Sequence, residues 1–247
     1  MSKLAEPKKT EHLLAVSITR DPLAIAESQR LRYQIFSQEL GARLHVEDGR
    51  DVDRYDAFCD HLIIRDTQSN LVVGTYRILP PDRLEAAGGH YSANEFDLSP
   101  LKPIFSRTIE IGRSCVHKDY RHGGTIMMLW SALIQYMHHH RYQYMIGCGS
   151  LPMNDGGHEA CSIYHQLKDK YLAPLALQVT PKNPLNQAIL KHDLTVPCPA
   201  LIKGYLRIGC YIGGAPSVDA DFNTADILIM MDMSQMNKRY LAHLIKQ

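Results

Sequence analysis

Short apolar or alternating stretches read as strands over residues 12–18, 61–65, 71–79, 108–116, 144–148 and 226–232, the one over 144–148 as a buried strand. A helical period runs over 22–40, 125–141 and 159–171. Asp21-Pro22 reads as a capping residue followed by proline in the first helical turn. The strands over 61–65 and 71–79 flank the polar turn Gln68-Ser69-Asn70 and are expected to form a hairpin. Pro80-Pro81 ends that run, and 85–103 reads as loop from its Gly-Gly, Asn and Pro content. Breakers such as Pro181, Pro184, Pro197 and Pro199 punctuate the last third, which closes on a short helix predicted from Ser234.

A strand, the Gly123-Gly124 turn, a helix and a further strand make a crossover unit, so one strand pair is expected to be parallel. The fold class is therefore α/β (α+β): a mixed, mostly antiparallel central sheet flanked by helices, with one parallel crossover after the glycine loop. No linker or repeat divides residues 1–247, which are expected to form one domain. In it the first ten or so residues are flexible and 180–247 is an extension packed on the same body.

Charge and cysteine usage narrow the setting. Lys+Arg 27 against Asp+Glu 26 leaves a formal charge of +1, so there is no bulk cationic field and no nucleic-acid partner is expected. The six cysteines, at 59, 115, 148, 161, 198 and 210, never form CxxC, and no signal-peptide block follows the start; a reducing cytoplasm is the simplest compartment. Apolar stretches such as 227–231 fall far short of the ~20 residues that span a bilayer, which leaves open only a transient contact at the inner-membrane surface.

The most specific local pattern runs through residues 108–126. A strand ends near Val116, and paired glycines let the backbone approach a ligand as a helix begins. Its unpaired amides then suit a phosphate or another polar oxygen group, with Arg121 alongside. A glycine helix start used only for turning is the structural alternative. Glu110 and Arg113 are three apart, which places them on opposite sheet faces unless a bulge intervenes. They read either as a proton acceptor with its partner or as a structural ion pair. The loop over 47–60 sets six acids against two arginines and fails the calcium-loop spacing, so no metal is expected. Arg32 and Phe36 share a helix face, Phe36 as core packing and Arg32 as an anchor or a surface ion pair. His138, His139 and His140 point about 100° apart and cannot converge on one ion. His158 reads as a packed or capping histidine or as a second proton acceptor, and Cys115, without a supporting histidine, is not expected to form an acyl-enzyme. Met127, Met128, Trp130, Leu133, Ile134 and Met137 make a core stripe, and Lys203 and Arg207 form a basic face if 201–208 is helical.

Arg121-His122-Gly123-Gly124-Thr125-Ile126 resembles the Q/R-x-x-G-x-G/A pyrophosphate loop of the GNAT acyltransferase superfamily, departing from it at Ile126. Arg32-Tyr33-x-x-Phe36, the acidic loop, Gly74-Thr75-Tyr76-Arg77 and Glu110-x-x-Arg113 occur in the order of the autoinducer-synthase branch. With the late segments 199–209 and 221–226, the chain over roughly 20–245 is similar to the bacterial ornithine-acyl-ACP N-acyltransferases, also called hemolysin-like proteins. The resemblance implies a GNAT-like fold and transfer of a (3-hydroxy) fatty acyl group from an acyl carrier protein thioester to the α-amine of an amino acid, ornithine first, giving lyso-ornithine lipid. No cofactor is implied: the donor is acyl-phosphopantetheine on its carrier, with acyl-CoA as the other source. Ile126 suits a donor with a single phosphate. The implied roles are Glu110 and Arg113 in catalysis, with Val116, Arg121, His122, Gly123, Gly124, Thr125 and Ile126 on the donor, and Arg32, Asp48, Asp53 and Asp56 on the acceptor. An acyl-homoserine-lactone synthase, an acetyl-CoA-dependent acetyltransferase and a noncatalytic acyl- or partner-binding protein remain as alternatives.

Overall fold

Asp21 caps the first helix as its sequence predicts: its Oδ2 accepts from the Ala24 amide at 2.9 Å, and Pro22 opens α1 (Pro22–Arg32) after strand β1 (Leu14–Thr19). The structure is a computed structural model that describes residues 13–44, 46–121, 123–236 and 244. The helical period expected to residue 40 continues past Arg32 as a π-helical stretch, Tyr33–Glu39. A tight pair, β2 (Val46–Glu47) and β3 (Arg50–Asp51), turns through Asp48 and Gly49, both at positive φ.

The sheet is built from β4 (Asp60–Asp66), β5 (Val72–Leu79), β7 (Thr108–Val116), β8 (Tyr144–Pro152), β10 (Tyr211–Ile212), β11 (Ser217–Asp219) and β12 (Thr224–Asp232), with β1 at its edge. Two short strands, β6 (Phe96–Asp97) and β9 (Thr180–Pro181), pair with each other. The strand order is β1-β4-β5-β7-β8-β12-β10, with β11 also on β12. Every pair is antiparallel except β7 with β8, the crossover pair joined by α2 (Gly123–His140). The expected mixed, mostly antiparallel sheet with one parallel crossover is the observed one. Three of its strands come from the stretch after residue 180.

One face of the sheet is covered by α2, α3 (His158–Tyr171) and α4 (Ala200–Ile208). Leu129, Leu133, Ile134 and Met137 are buried there against Leu62, Ile64, Ile78 and Ile109, so the predicted stripe is core, with Met127 and Met128 at its margin. The other face is covered by α1 and by a segment expected to be loop. Residues 85–103 hold the 3₁₀ turn Tyr91–Asn94, strand β6 and the start of a longer 3₁₀ stretch, Ser99–Arg107. Phe96, Leu98, Leu101 and Ile104 from this segment pack on Ile146, Leu228 and Met230. Their spacing has no single period, which is why no element was predicted. The helix expected from Ser234 begins as a 3₁₀ turn, Met233–Gln235. Apart from the helical Leu244, the rest of that expectation lies outside the described residues, as does the expectation for the first ten residues.

Strands β7 and β8 pair only over Thr108↔Tyr144, Ile109↔Met145 and Glu110↔Ile146, and then diverge. At the fork the chains nearly touch: a Cβ on Gly147 would stand 2.5 Å from the Ile111 carbonyl oxygen. No helix among the described residues is long and apolar enough to cross a membrane.

Candidate functional site

The bulge that the Glu110-x-x-Arg113 spacing required is present. Thr75 pairs with Cys115 and Arg77 with Gly112, so Tyr76 alone faces both Arg113 and Ser114, and Arg113 takes φ +51°. The irregularity turns Arg113 onto the sheet face that carries Arg77 and Glu110.

On that face three arginines meet three aspartates. Arg32, fully buried at the end of α1, donates from Nε to Asp51 Oδ2 at 2.8 Å and from Nη1 to Asp56 Oδ1 at 2.7 Å. Arg77 Nη1 donates to Asp53 Oδ1 at 2.5 Å and to Asp56 Oδ1 at 3.1 Å. Arg113 Nε donates to Asp51 Oδ2 at 2.9 Å, and its Nη2 lies 3.3 Å from Asp53 Oδ2. Burial pushes the Asp53 and Asp56 carboxyls up, but the guanidiniums of Arg77, Arg113 and Arg32 outweigh it and hold both below the usual carboxylate range. Three of the acids of this loop are thus neutralised by arginines from outside it. Arg32, Asp53, Asp56 and Arg113 of the predicted set come together, whereas Asp48 sits exposed at the β2–β3 turn and Asp51, not singled out by sequence, occupies the centre.

Glu110 is buried, and its oxygens are already engaged. Oε2 accepts from the Tyr91 amide at 2.6 Å; Oε1 accepts from the Ser92 amide at 2.7 Å and from Ser92 Oγ at 2.5 Å. His90 Nδ1 stands 3.4 Å from Oε2. Burial alone would raise this carboxyl, but His90 and the Ser92 donors hold it below its ordinary value. A carboxylate so occupied fixes the Tyr91–Ser92 turn and is a poor proton acceptor. The expected pairing with Arg113 is indirect: the Arg113 guanidinium lies between the rings of Tyr91, at 5.2 Å, and Phe222, at 4.9 Å. Phe222 also meets Phe36 edge-on at 5.8 Å, so Phe36 packs within the partly buried wall of the site. The space left among Tyr55, Arg77, Tyr91, Glu110 and Gly112 is about 10 Å³, room for about one water and too little for an acyl chain.

At the far end of β7 the buried Val116 offers its carbonyl to Arg121 Nε at 2.8 Å, and Arg121 Nη2 reaches Glu39 Oε2 at 2.6 Å. Helix α2 starts at Gly123. Gly124 is exposed, Ile126 packs partly against the core, and Thr125 is fully buried with its hydroxyl unpaired. His122 lies outside the described residues. A cavity of about 220 Å³ beside this loop is lined by Leu31, Gln34, Val73, His117 and Tyr120. Lys203 and Arg207 are exposed on α4, which is helical as the conditional reading required. His158 Nδ1 accepts from the Lys191 amide at 2.9 Å, the packed role of its two readings. Burial pushes the Cys115 thiol up to about 12, which opposes a thiolate there. Among the described residues no group of three or more His, Cys, Asp or Glu side chains is placed to hold a metal ion.

Sequence reasoning gave no role to Arg77, His90, Tyr91, Ser92 or Phe222, although Arg77 and Phe222 lie in the segments 74–77 and 221–226 that carry the resemblance. Arg77 had a signal, a lone charge inside the apolar strand Val72–Leu79; the 90–92 turn had none, because only the folded loop sets its amides against Glu110.

The acetyltransferase (GNAT) domain family matches residues 31–131. The L-ornithine N(alpha)-acyltransferase of Brucella abortus is 32% identical over 93% of this chain and 88% of its own length. That of Rhodobacter capsulatus is 34% identical over 91% and 92%. Among solved structures, the AHL synthase LasI matches with a TM-score of 0.56 at 15% identity, covering 94% of this chain and 96% of that one, a likeness of fold.

Proposed function

We propose a reaction for this chain on the premise that it belongs to the L-ornithine N(alpha)-acyltransferase family, as full-length similarity at over 30% identity shows. It is an acyltransferase of GNAT-like fold, and the reaction we assign is N-acylation of the α-amine of L-ornithine by a 3-hydroxy fatty acyl thioester, giving lyso-ornithine lipid. The observation that carries this reading is the similarity to enzymes of that name over more than nine-tenths of the chain.

The donor is proposed to be acyl carrier protein, with acyl-CoA as the second source. The phosphate of its pantetheine arm meets the start of α2 around Arg121, Gly123, Gly124, Thr125 and Ile126, where helix amides lack intrahelical partners. The unpaired, buried Thr125 hydroxyl supports a polar ligand here. The arm then runs along the edge of β7 that β8 leaves free beyond Glu110, past Val116, to bring the thioester into the fork. Main-chain donors fixed at the fork act on the oxyanion as it forms. Arg113, held between Tyr91 and Phe222, orders the acceptor side, and Glu110 keeps the Tyr91–Ser92 turn in register with it. The amine attacks the thioester directly, in keeping with the buried Cys115 thiol and the half-buried Cys148 thiol, whose protons burial holds in place.

Incubation of the purified chain with 3-hydroxyacyl carrier protein, the matching acyl-CoA, or acetyl-CoA, each with ornithine, lysine, glutamine or S-adenosylmethionine, tests the assignment by product mass. Lyso-ornithine lipid from the carrier-bound donor is expected. Turnover of acetyl-CoA alone, or acyl-homoserine lactone as the sole product, overturns it.

A further inference from the structure

The site described above has a surplus of satisfied carboxylates and lacks a free one. Asp51, Asp53 and Asp56 are each paired to guanidiniums, and Glu110 accepts three hydrogen bonds. An α-amine arrives at neutral pH largely as ammonium and must lose a proton before it can attack. A carboxylate on the same sheet face with an unclaimed charge would serve as that proton acceptor.

Asp226 meets that requirement. It lies on β12 opposite Ser150 of β8, two positions beyond Cys148. Cys148 Sγ reaches Ser92 Oγ at 3.5 Å, and Ser92 in turn binds Glu110, so Cys148, Ser150 and Asp226 share the face that carries Glu110. Along β8, Ser150 is four residues past the last paired position, about 13 Å beyond the fork. Arg113 is three residues past the fork on β7, so Ser150 and Arg113 stand on opposite arms of the splayed strands at similar depth, with Asp226 one strand beyond Ser150. The turn that follows β11 reaches across to β7, since Phe222 lies on the Arg113 guanidinium.

The surroundings of Asp226 are anionic and polar without being cationic. Its Oδ1 accepts from Thr224 Oγ1 at 3.0 Å, and Ser150 is a second hydroxyl neighbour. Asp219 of β11 and Glu95 at the end of the Tyr91–Asn94 turn face it with like charge, and the Cys148 thiol adjoins it. Lys182 acts on Glu95, and no Lys or Arg among the described residues makes an ion pair with Asp226. Asp226 is buried all the same. A buried carboxylate with no cation of its own is a place for one supplied by a ligand.

We propose that Asp226 receives the α-ammonium group of the acceptor and takes one proton from it, so that the neutral amine attacks the thioester carbonyl. The N–C bond forms and the C–S bond breaks; the second N–H proton of the attacking nitrogen ends on the departing thiolate as the thiol, and Asp226 returns its proton to solvent. Net, ammonium and thioester give amide, thiol and one proton. Burial, reinforced by Asp219 and Glu95, pushes the Asp226 carboxyl up to about 6, which suits a proton acceptor that must be ionised near neutrality. The assignment rests on the acyltransfer reading of this site.

The test is the pH profile of kcat/KM with 3-hydroxyacyl carrier protein and the amino acid that the wild type acylates. In the wild type an acidic limb near pH 6 is expected. Asp226→Asn is expected to lower kcat/KM by about 100-fold, to lose that limb, and to recover steadily as rising pH frees the amine. Donor binding, followed by titration of the carrier protein, stays at the wild-type level. Asp226→Glu is expected to retain activity with a displaced limb. An Asp226→Asn enzyme within about threefold of wild type, or one that is slow but keeps the limb, overturns the assignment. Should Asp226→Asn fail to fold, a displaced limb in Asp226→Glu supports it and an unmoved one overturns it. Absence of any ornithine product from the wild type overturns the substrate reading instead, and the Asp226 comparison is then read with the amino acid that does react.

Discussion

Arg113 donates to Asp51 across 2.9 Å, tying a strand bulge to a loop 62 positions earlier in the chain. The same Asp51 oxygen receives Arg32 at 2.8 Å, so one carboxylate joins α1, the acidic loop and β7. Such a network is strongly interdependent: removal of one member leaves a buried charge without its partner.

Asp51→Asn should therefore destabilise the fold by about 3–5 kcal/mol, as Arg32 and Arg113 lose a shared counter-charge. Asp48→Asn, at the exposed turn, should change stability by no more than about 0.5 kcal/mol. Urea denaturation of both variants against the wild type checks the contrast.

Replacing Glu110 by glutamine puts a donor where only acceptors fit, leaving one of the Tyr91 and Ser92 donors unpaired. A loss of about 1–3 kcal/mol is expected. Because Glu110 holds the turn and does not titrate in turnover, activity should fall while the acidic limb near pH 6 stays in place. Thermal melts and the pH profile of the variant decide this together.

A methyl group at Gly147 has no room, since the obstacle is the Ile111 carbonyl and backbone cannot step aside as a side chain would. Gly147→Ala should cost about 3 kcal/mol or more and shift the fork, with reduced acyl transfer even under conditions where the variant is folded. Calorimetry and turnover at low temperature separate the two effects.

The same carboxyl that we assign to proton transfer should weaken the fold at neutral pH. Asp226 has a folded value of about 6 against an ordinary 3.8, so the folded state binds its proton more tightly. The stability associated with that proton is present in full below about pH 4 and is lost as pH rises through 6, a difference of about 3 kcal/mol. Asp226→Asn should melt higher than wild type at pH 7.5 and at the same temperature near pH 3.5, measured by thermal unfolding across that range.

Arg121→Ala removes the charge beside the start of α2 and releases Glu39 and the Val116 carbonyl. If the phosphate of the donor rests there, KM for acyl carrier protein should rise about tenfold with kcat little changed; the steady-state kinetics of the variant provide the measure.

Part of the site was legible because its signals are local. The Gly123-Gly124 start of α2, the N-cap at Asp21 and the need for a bulge between Glu110 and Arg113 follow from backbone geometry over a few residues. The acidic loop was legible as a concentration of charge, but its meaning was not. Asp53 and Asp56 are occupied by Arg77 and Arg32, and that pairing spans two dozen positions. Likewise, nothing in the spacing around residue 90 announces that two amides of that turn will saturate Glu110.

The pattern of the chain by itself determined the order of the elements, the parallel crossover and the glycine turn at α2, because periodicity and steric preference act between near neighbours. Only the tertiary structure decided which carboxylates keep their charge available. Asp51, Asp53 and Asp56 are matched by arginines brought from α1, β5 and β7, while Asp226 is buried beside Asp219 and Glu95 and, among the described residues, has hydroxyl donors but no Lys or Arg ion pair. The reason is physical: the energy of a buried charge depends on what surrounds it within a few ångströms, and folding selects those neighbours from distant parts of the chain.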